Sequence, residues 1–277
     1  MDIPFAVQKC VAFVGYKRVG GTEKFAGSAF FLHRSTNGLA FTYIATAAHV
    51  VQGIKDKGLE KVLLRLNYKT GQAKWIDSAV KDWYFHPDPA VDVAVARFPW
   101  MAEIDHVVFP LAACLNDSII REESIGAGNE VFLSGLFHLH SGERNNLPIV
   151  RIGNIAAMPN EKIDTPRGPV AAYLIEVRSI GGLSGSPVFI TFGLTRSVAG
   201  LPLGTAKFFL LGVMHGHFDT TESDLVDEVL SDSAAPPKSV NMGIAVVTPA
   251  EKILEVIQQS QIGQIDTEVE RDYRSRL

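Results

Sequence analysis

Ile180-Gly181-Gly182-Leu183-Ser184-Gly185-Ser186-Pro187-Val188-Phe189 sets one serine among glycines and then runs into a proline and a β-forming pair. A free serine hydroxyl is a weak nucleophile. A reactive one needs a base at its oxygen and hydrogen-bond donors aimed at the oxyanion its attack creates. Glycines at 181, 182 and 185 let the backbone take positive φ and come close to a substrate carbonyl, which a β-carbon would obstruct. The amides of Gly182 and Ser184 are then the natural oxyanion donors. The same stretch also reads as a Gly/Ser/Pro hairpin between two strands, so the rest of the chain has to decide.

The 277 residues are 47% hydrophobic and 20% charged, an ordinary globular composition for one large domain or two smaller ones. Twenty-four glycines and 14 prolines among many short apolar runs point to an all-β chain with frequent turns. A net charge of −4, a pI near 6.1 and the lack of any dense basic stretch give nucleic acid no footing. No apolar run approaches the roughly 18 residues of a membrane span. Met1-Asp2-Ile3-Pro4-Phe5 has no basic start of the signal-peptide kind, so the expected location is the cytoplasm. Cys10 and Cys114 are too few for a disulfide framework and fit a reducing compartment. Two buried free thiols are expected, with a single Cys10–Cys114 bridge left open.

Six β segments precede residue 100: Val7 to Val14, Phe25 to Leu32, Ala40 to Thr46, Lys61 to Asn67, Trp75 to Phe85 and Val91 to Phe98. Ala47-Ala48-His49-Val50-Val51 is expected to start a short helix at the end of the third. A second series runs through Glu130 to Gly135, Ile149 to Ile155, Ala171 to Val177, Pro187 to Ile190, Phe208 to Met214 and Met242 to Val247. The pattern predicts an all-β fold of two packed six-stranded antiparallel β-barrels, over residues 1–115 and 116–250, with a cleft between them. Pro249 to Ile257 has helical apolar spacing and is expected to pack on the second barrel. It opens a segment, 251–277, whose end from Asp266 to Leu277 reads as a charged tail, solvated or dependent on a partner. Asp219 to Asp232 carries six acidic residues and no basic one, and is expected as a surface insertion.

A base for Ser184 is best supplied by histidine, whose pKa suits proton transfer near neutrality. Of eight histidines, His49 stands at the end of a strand, in Thr46-Ala47-Ala48-His49-Val50, where a side chain can enter the cleft. The base needs a buried acceptor to fix its tautomer. Asp92 is a lone carboxylate at the start of the apolar run Val91 to Ala96, and an unpaired charge there would be costly, so a partner is expected. Asp88, in a Pro-flanked turn, is the runner-up.

Taken together, Thr46-Ala47-Ala48-His49, Asp92-Val93-Ala94-Val95 and Gly182-Leu183-Ser184-Gly185-Ser186-Pro187 resemble the chymotrypsin-like serine peptidases, in the order His, Asp, Ser. The resemblance covers roughly residues 8–250. It is similar in detail to the bacterial HtrA-type and glutamyl-endopeptidase-type branches, through Gly128-Asn129-Glu130-Val131, Arg151-Ile152-Gly153-Asn154-Ile155 and Leu210 to Gly216. It implies His49 as general base, Asp92 as its orienting partner, Ser184 as nucleophile, and the Gly182 and Ser184 amides as the oxyanion hole. It also implies that Asn241 to Ala245 lies beside the specificity pocket. Leu183 stands where animal digestive members carry an Asp that pairs with a new N-terminus, so activation by that route is not expected. No PDZ-like pattern is read after the peptidase-like part, so HtrA-style assembly and regulation are not expected.

The pocket for the residue before the scissile bond is expected to involve Arg178, Ser179, Met214, His215 and His217, and a cation with an imidazole there would favour an acidic side chain. His138/His140 and His215/His217 each put two imidazoles on one face of a possible strand, but no Cys or carboxylate cluster completes a metal set, so neither metal nor cofactor is expected. The reading is a cytoplasmic serine endopeptidase acting on polypeptides, with no nucleic acid or membrane partner. The acidic 219–232 insertion and the C-terminal tail are the candidate docking points for a regulatory protein. The alternative is a catalytically silent or partner-activated module holding peptide strands in the same cleft.

Overall fold

The computed structural model describes residues 3, 5–36, 38–178, 182–192, 196–198, 201–203, 207–221 and 239–275. After a short helix α1 (Phe5–Gln8), the first half supplies β1 (Val11–Lys17), β2 (Glu23–Thr36), β3 (Leu39–Thr46), helix α2 (Ala48–Lys55), β4 (Lys61–Asn67), β5 (Ala73–Ala79), β6 (Trp83–Phe85), β7 (Ala94–Arg97) and β8 (Phe109–Pro110). They pair in the order β5-β4-β1-β2-β3-β7-β6, with β8 added in parallel to β2. The strands at the two ends of this path, β5 and β6, are joined by one 3-10 turn, Val80–Asp82, so the sheet has to curl until its edges approach. Trp83 Nε1 donates to Ser78 Oγ at 3.0 Å across that corner, and Val80 N donates to Glu60 O at 2.8 Å. Trp75 to Phe85, expected as one strand, is therefore two strands and a corner. Among the described residues no ladder joins β5 to β6, and the result is a half-barrel.

Helix α3 (Asp117–Glu122) leads to the second half, in which β9 (Glu130–Gly135), β10 (Ile149–Ala157), β13 (Tyr173–Glu176), β14 (Pro187–Phe192), β17 (Lys207–Thr221) and β18 (Ser239–Pro249) form a closed barrel, in the order β10-β13-β18-β17-β14-β9. Two small ribbons decorate it, β11 (Lys162–Ile163) with β12 (Val170–Ala171) and β15 (Arg196–Val198) with β16 (Leu201–Leu203). Strand alternation sends Val131, Leu133, Val188 and Ile190 into the barrel interior. It sends Phe132 and Phe189 the other way, into the core shared with the half-barrel, where their rings stack at 5.2 Å and Phe109 meets Phe189 at 5.1 Å. This aromatic seam joins the two halves.

Helices α4 (Glu251–Ile257) and α5 (Ser260–Arg274) correct one expectation and refine another, since residues 267–275 are mostly exposed. Ile253, Val256, Ile257 and Ile262 enter the core of the half-barrel, and α4 packs against β7, so the C-terminal helix does not rest mainly on the second barrel. The stretch from Asp266 is helical, and Asp266 itself is buried. Its Oδ2 accepts from Tyr43 Oη at 2.5 Å and Arg34 Nη2 at 2.6 Å, and Arg97 Nε lies 2.8 Å from Oδ1 as an ion pair without hydrogen-bond alignment. The reason is electrostatic: β2, β3 and β7 bring two guanidinium groups and a phenol to one place, and a carboxylate from α5 balances them. Burial, followed by the Asp266 hydrogen bond, pushes the Tyr43 phenol up.

Cys10 and Cys114 are both buried and free, and burial pushes each thiol up to about 12, so neither is reactive. No described helix is long and apolar enough to cross a membrane. Of the acidic insertion, residues 222–232 lie outside the described residues.

Candidate active site

Chain direction explains where His49 stands. Strand β3 ends at Thr46, Ala47 is extended at φ −69° and ψ 137°, and α2 begins at once, putting His49 in its first turn. Ala47 and Ala48 are small enough to be buried at the bend, and Val50, Val51 and Ile54 anchor the helix in the core. His49 is left half-buried, with 37% of its side chain exposed.

Asp92 reaches it from the turn before β7. The Asp88 carboxylate accepts from Ala90 N at 2.9 Å, which closes that turn and uses up the runner-up acid. Asp92 is fully buried. Its Oδ2 lies 2.6 Å from His49 Nδ1 and its Oδ1 accepts from His49 N at 2.8 Å. The two contacts fix both the ring and the start of the helix, and they leave Nε2 as the nitrogen for proton transfer. Burial alone would raise the Asp92 carboxyl. The His49 hydrogen bond, the His49 and His215 charges and the His49 amide outweigh it and hold the group below the ordinary carboxylate range.

Two further groups face Asp92. Arg167, in the turn between β11 and β12, donates from Nε to Pro89 O at 3.0 Å and lies 3.7 Å from Asp92 Oδ1. His215 Nε2 lies 3.6 Å from Asp92 Oδ2, and its ring centroid is 5.7 Å from that of His49. Burial first, then the His49 and Arg167 charges, pull the His215 imidazole below its ordinary value against the opposing pull of Asp92.

Ser184 comes from the closed barrel. Gly182 and Gly185 take φ of +101° and +81°, the left-handed region that favours glycine. A β-carbon at 185 would also run into Ser28 O and Thr46 Oγ1. Leu183 is fully buried in the barrel core, so apolar packing anchors the turn where an acidic residue would need a charged partner. Ser186 N donates to Leu183 O at 3.0 Å, Gly185 N to Met214 O at 2.8 Å and Met214 N to Ser186 O at 2.9 Å, which lashes the turn to β17. The Ser184 hydroxyl donates to His215 O at 3.2 Å, and among the described residues no hydrogen bond links it to His49.

The expected pocket residues scatter. Arg178 is exposed and lines, with Glu176, Arg151, Met242 and Gly243, an open cleft of about 950 Å³. Met214 is fully buried in the barrel core, so its side chain does not line a pocket. Ser179 lies outside the described residues, and for His217 the structure describes only the backbone, paired with Ala245. His215 does not stand on a pocket wall as expected but packs on Asp92. The ladder shifts register between Met214 and Gly216, so His215 is a bulged residue whose side chain is re-aimed. His138 and His140 lie in a 3-10 turn, so they do not share a strand face.

His49, Asp92 and His215 do offer donor atoms within 4.8 Å of one another, a grouping absent from the sequence reading. As arranged, the 2.6 Å His49–Asp92 contact is a hydrogen bond, and a divalent cation at about 2.0–2.2 Å from each ligand would have to open it. The sequence gives no sign of Ser28 or Arg167, and it marks His215 only as a pocket residue, not as a neighbour of Asp92. Only a register shift and contacts between distant segments reveal them.

A half-barrel carrying a buried Asp–His pair, set against a closed six-stranded barrel carrying a Gly-bounded serine turn, decides the architecture. The fold is that of the chymotrypsin-like proteases. The protease domain of MamO from Magnetospirillum magneticum superposes with a TM-score of 0.53 at 15% identity, over 92% of this chain and 99% of that one. Two further structures are similar. Protease A of Thermobifida fusca has a TM-score of 0.37 at 15% identity, over 87% of this chain and 91% of that one. The scabies mite inactivated protease paralogue S-D1 has a TM-score of 0.47 at 13% identity, over 91% of each chain. No protein-family model and no curated protein matches the chain.

Proposed function

We propose that the chain is a serine endopeptidase, with Ser184 as nucleophile, His49 as general base, Asp92 as its orienting partner, and the amides of Gly182 and Ser184 as the oxyanion hole. The observation that carries this reading is the doubly bonded His49–Asp92 pair at the seam where the Ser184 turn arrives. In the reaction, His49 Nε2 takes the Ser184 proton as Oγ attacks the peptide carbonyl, and returns it to the leaving amine. Water then hydrolyses the acyl-enzyme with the same base. Before that, Ser184 Oγ has to leave His215 O, which breaks one hydrogen bond of net worth about 0.5–1.5 kcal/mol. Substrate contacts repay such a sum easily.

Within this reading the chain acts on polypeptides in the cytoplasm, in keeping with its unpaired buried cysteines. Its motifs align it with the HtrA-type and glutamyl-endopeptidase-type branches. The exposed Arg178 guanidinium favours an acidic residue before the scissile bond. A second reading, a catalytically silent or partner-activated peptide-binding module, is favoured by one observation: the serine hydroxyl is bonded to a backbone carbonyl instead of the imidazole.

Labelling with a fluorophosphonate serine-hydrolase probe separates the two. The endopeptidase reading expects the native chain to be labelled and Ser184→Ala and His49→Ala to lose at least about 10³-fold in labelling rate. A native chain that stays unlabelled overturns it in favour of the binding module.

A further inference from the structure

The residue that meets the serine turn from the other half is Ser28, in the middle of β2 and fully buried. Its Oγ accepts from Leu136 N at 2.8 Å and donates to Gly182 O at 3.1 Å. Its amide donates to Ser184 O at 2.9 Å, and its carbonyl accepts from Thr46 Oγ1 at 2.6 Å, one residue before the bend that leads to His49. One residue thus grips the carbonyls on both sides of Leu183 while being held by the strand that presents the histidine.

We infer that Ser28 is a positioning residue for the oxyanion hole, holding from across the seam the peptide planes on either side of the Ser184 amide, the first of which also follows the Gly182 amide. The inference rests on reading Ser184 as the nucleophile. Gly182 sits at φ +101° with no β-carbon to limit it, so its peptide planes have more freedom than any other residue would allow. Fixing its carbonyl orients the Gly182–Leu183 peptide, and fixing the Ser184 carbonyl orients the Ser184–Gly185 peptide, so the Leu183–Ser184 peptide that carries the Ser184 amide lies between two held planes. A donor aimed at a developing oxyanion contributes only when it is already aimed, since reorientation during the reaction forfeits the gain.

Space around the hydroxyl fits this role. A β-carbon at Gly135 would come within 2.9 Å of Ser28 Oγ, and one at Gly27 within 2.8 Å of Ser184 O. Two glycines therefore let the two halves approach closely enough for Ser28 to reach the turn. A second brace holds the Leu136 side of the bridge. Arg65 from β4, nearly buried, donates to Gly142 O at 2.9 Å and Glu143 O at 2.6 Å in the loop that follows, and Asn146 Nδ2 returns a bond to Arg65 O at 2.6 Å. In the same segment, His138 Nε2 stands 2.9 Å from where a Gly182 β-carbon would be.

The test compares the native full-length chain with Ser28→Ala and with the near-isosteric Ser28→Cys, whose thiol is a weak donor. The measurements are fluorophosphonate labelling rate, phenylboronic acid affinity, kcat and KM on a peptide substrate, and thermal unfolding. A tetrahedral boronate needs the oxyanion donors, whereas ground-state substrate binding does not. In both variants the labelling rate and the boronate affinity should fall about 10- to 100-fold, with kcat falling and KM within about twofold of native. A purely structural role predicts a lower unfolding temperature with native boronate affinity per folded molecule, and that result overturns the inference. So does a native labelling rate in Ser28→Cys, which decides the matter if Ser28→Ala does not fold. Absence of labelling in the native chain is a different failure and removes the endopeptidase reading itself.

Discussion

Asp92 and His49 come from the same half-barrel and meet through contacts of 2.6 and 2.8 Å, whereas Ser184 arrives from the closed barrel and meets the carbonyl of His215 at 3.2 Å. The half-barrel is the less self-sufficient sheet, sealed by helices from the far end of the chain, yet it holds its part of the site ready-made. The closed barrel completes its own hydrogen-bond ladder, yet it delivers a serine whose hydroxyl is bonded to a backbone carbonyl of the same barrel. Covalent proximity explains the difference. The His49–Asp92 pair is built from two turns of one sheet, while the Ser184 turn has to be aligned across a seam that Ser28 and Gly27 on one side and Gly185 on the other bring to close range.

If the ready-made pair is what the half-barrel contributes, Asp92→Asn should have the largest effect, because an amide can donate to Nδ1 and stabilise the wrong tautomer. Peptide hydrolysis should fall about 10⁴-fold with the chain still folded. A loss below about tenfold would break the comparison, since the pair would then not be the prepared element. If the half-barrel depends on its seal, Asp266→Ala should destabilise the chain by about 3–5 kcal/mol by leaving Arg34, Arg97 and Tyr43 without their anion. Urea unfolding followed by the fluorescence of the three tryptophans reads this. A change under about 1 kcal/mol would mean that the sheet seals itself.

The smallest effect concerns His215, where the halves touch. Its folded pKa is lowered, so the unfolded chain binds the extra proton first, and stability contributed by the neutral ring is lost as pH falls from about 6.5 toward the lowered value. Asp92, His49 and Arg167 face this ring. In His215→Gln, the slope of unfolding free energy against pH between 5 and 6.5 should decrease, by no more than about 1.4 kcal/mol per pH unit. An unchanged slope would mean that the ring takes up its proton without cost.

The residues that announce the fold are those whose chemistry is local. His49 is legible because Ala47 and Ala48 mark a bend after a strand, and Asp92 because a carboxylate in an apolar run demands a partner. The serine turn is legible because glycine at 182 and 185 serves backbone angles that other residues avoid. What could not be read depends on register and on distant segments. One bulge moves the His215 ring from a pocket wall to Asp92, a corner at Val80–Asp82 divides a strand in two, and Asp266 looks like part of a charged tail until Arg34 and Arg97 are seen beside it. A serine in a strand carries no mark of a hydroxyl that will reach Gly182.

The Asp266 contact also sets an order of events. A ribosome releases β2, β3 and β7 long before α5, so Arg34, Tyr43 and Arg97 wait, without their anion, until the helix that carries Asp266 has been translated. The half-barrel that holds the His49–Asp92 pair is therefore completed only after the strands of the closed barrel have left the ribosome, so the direction of synthesis postpones the ion pairing of its core.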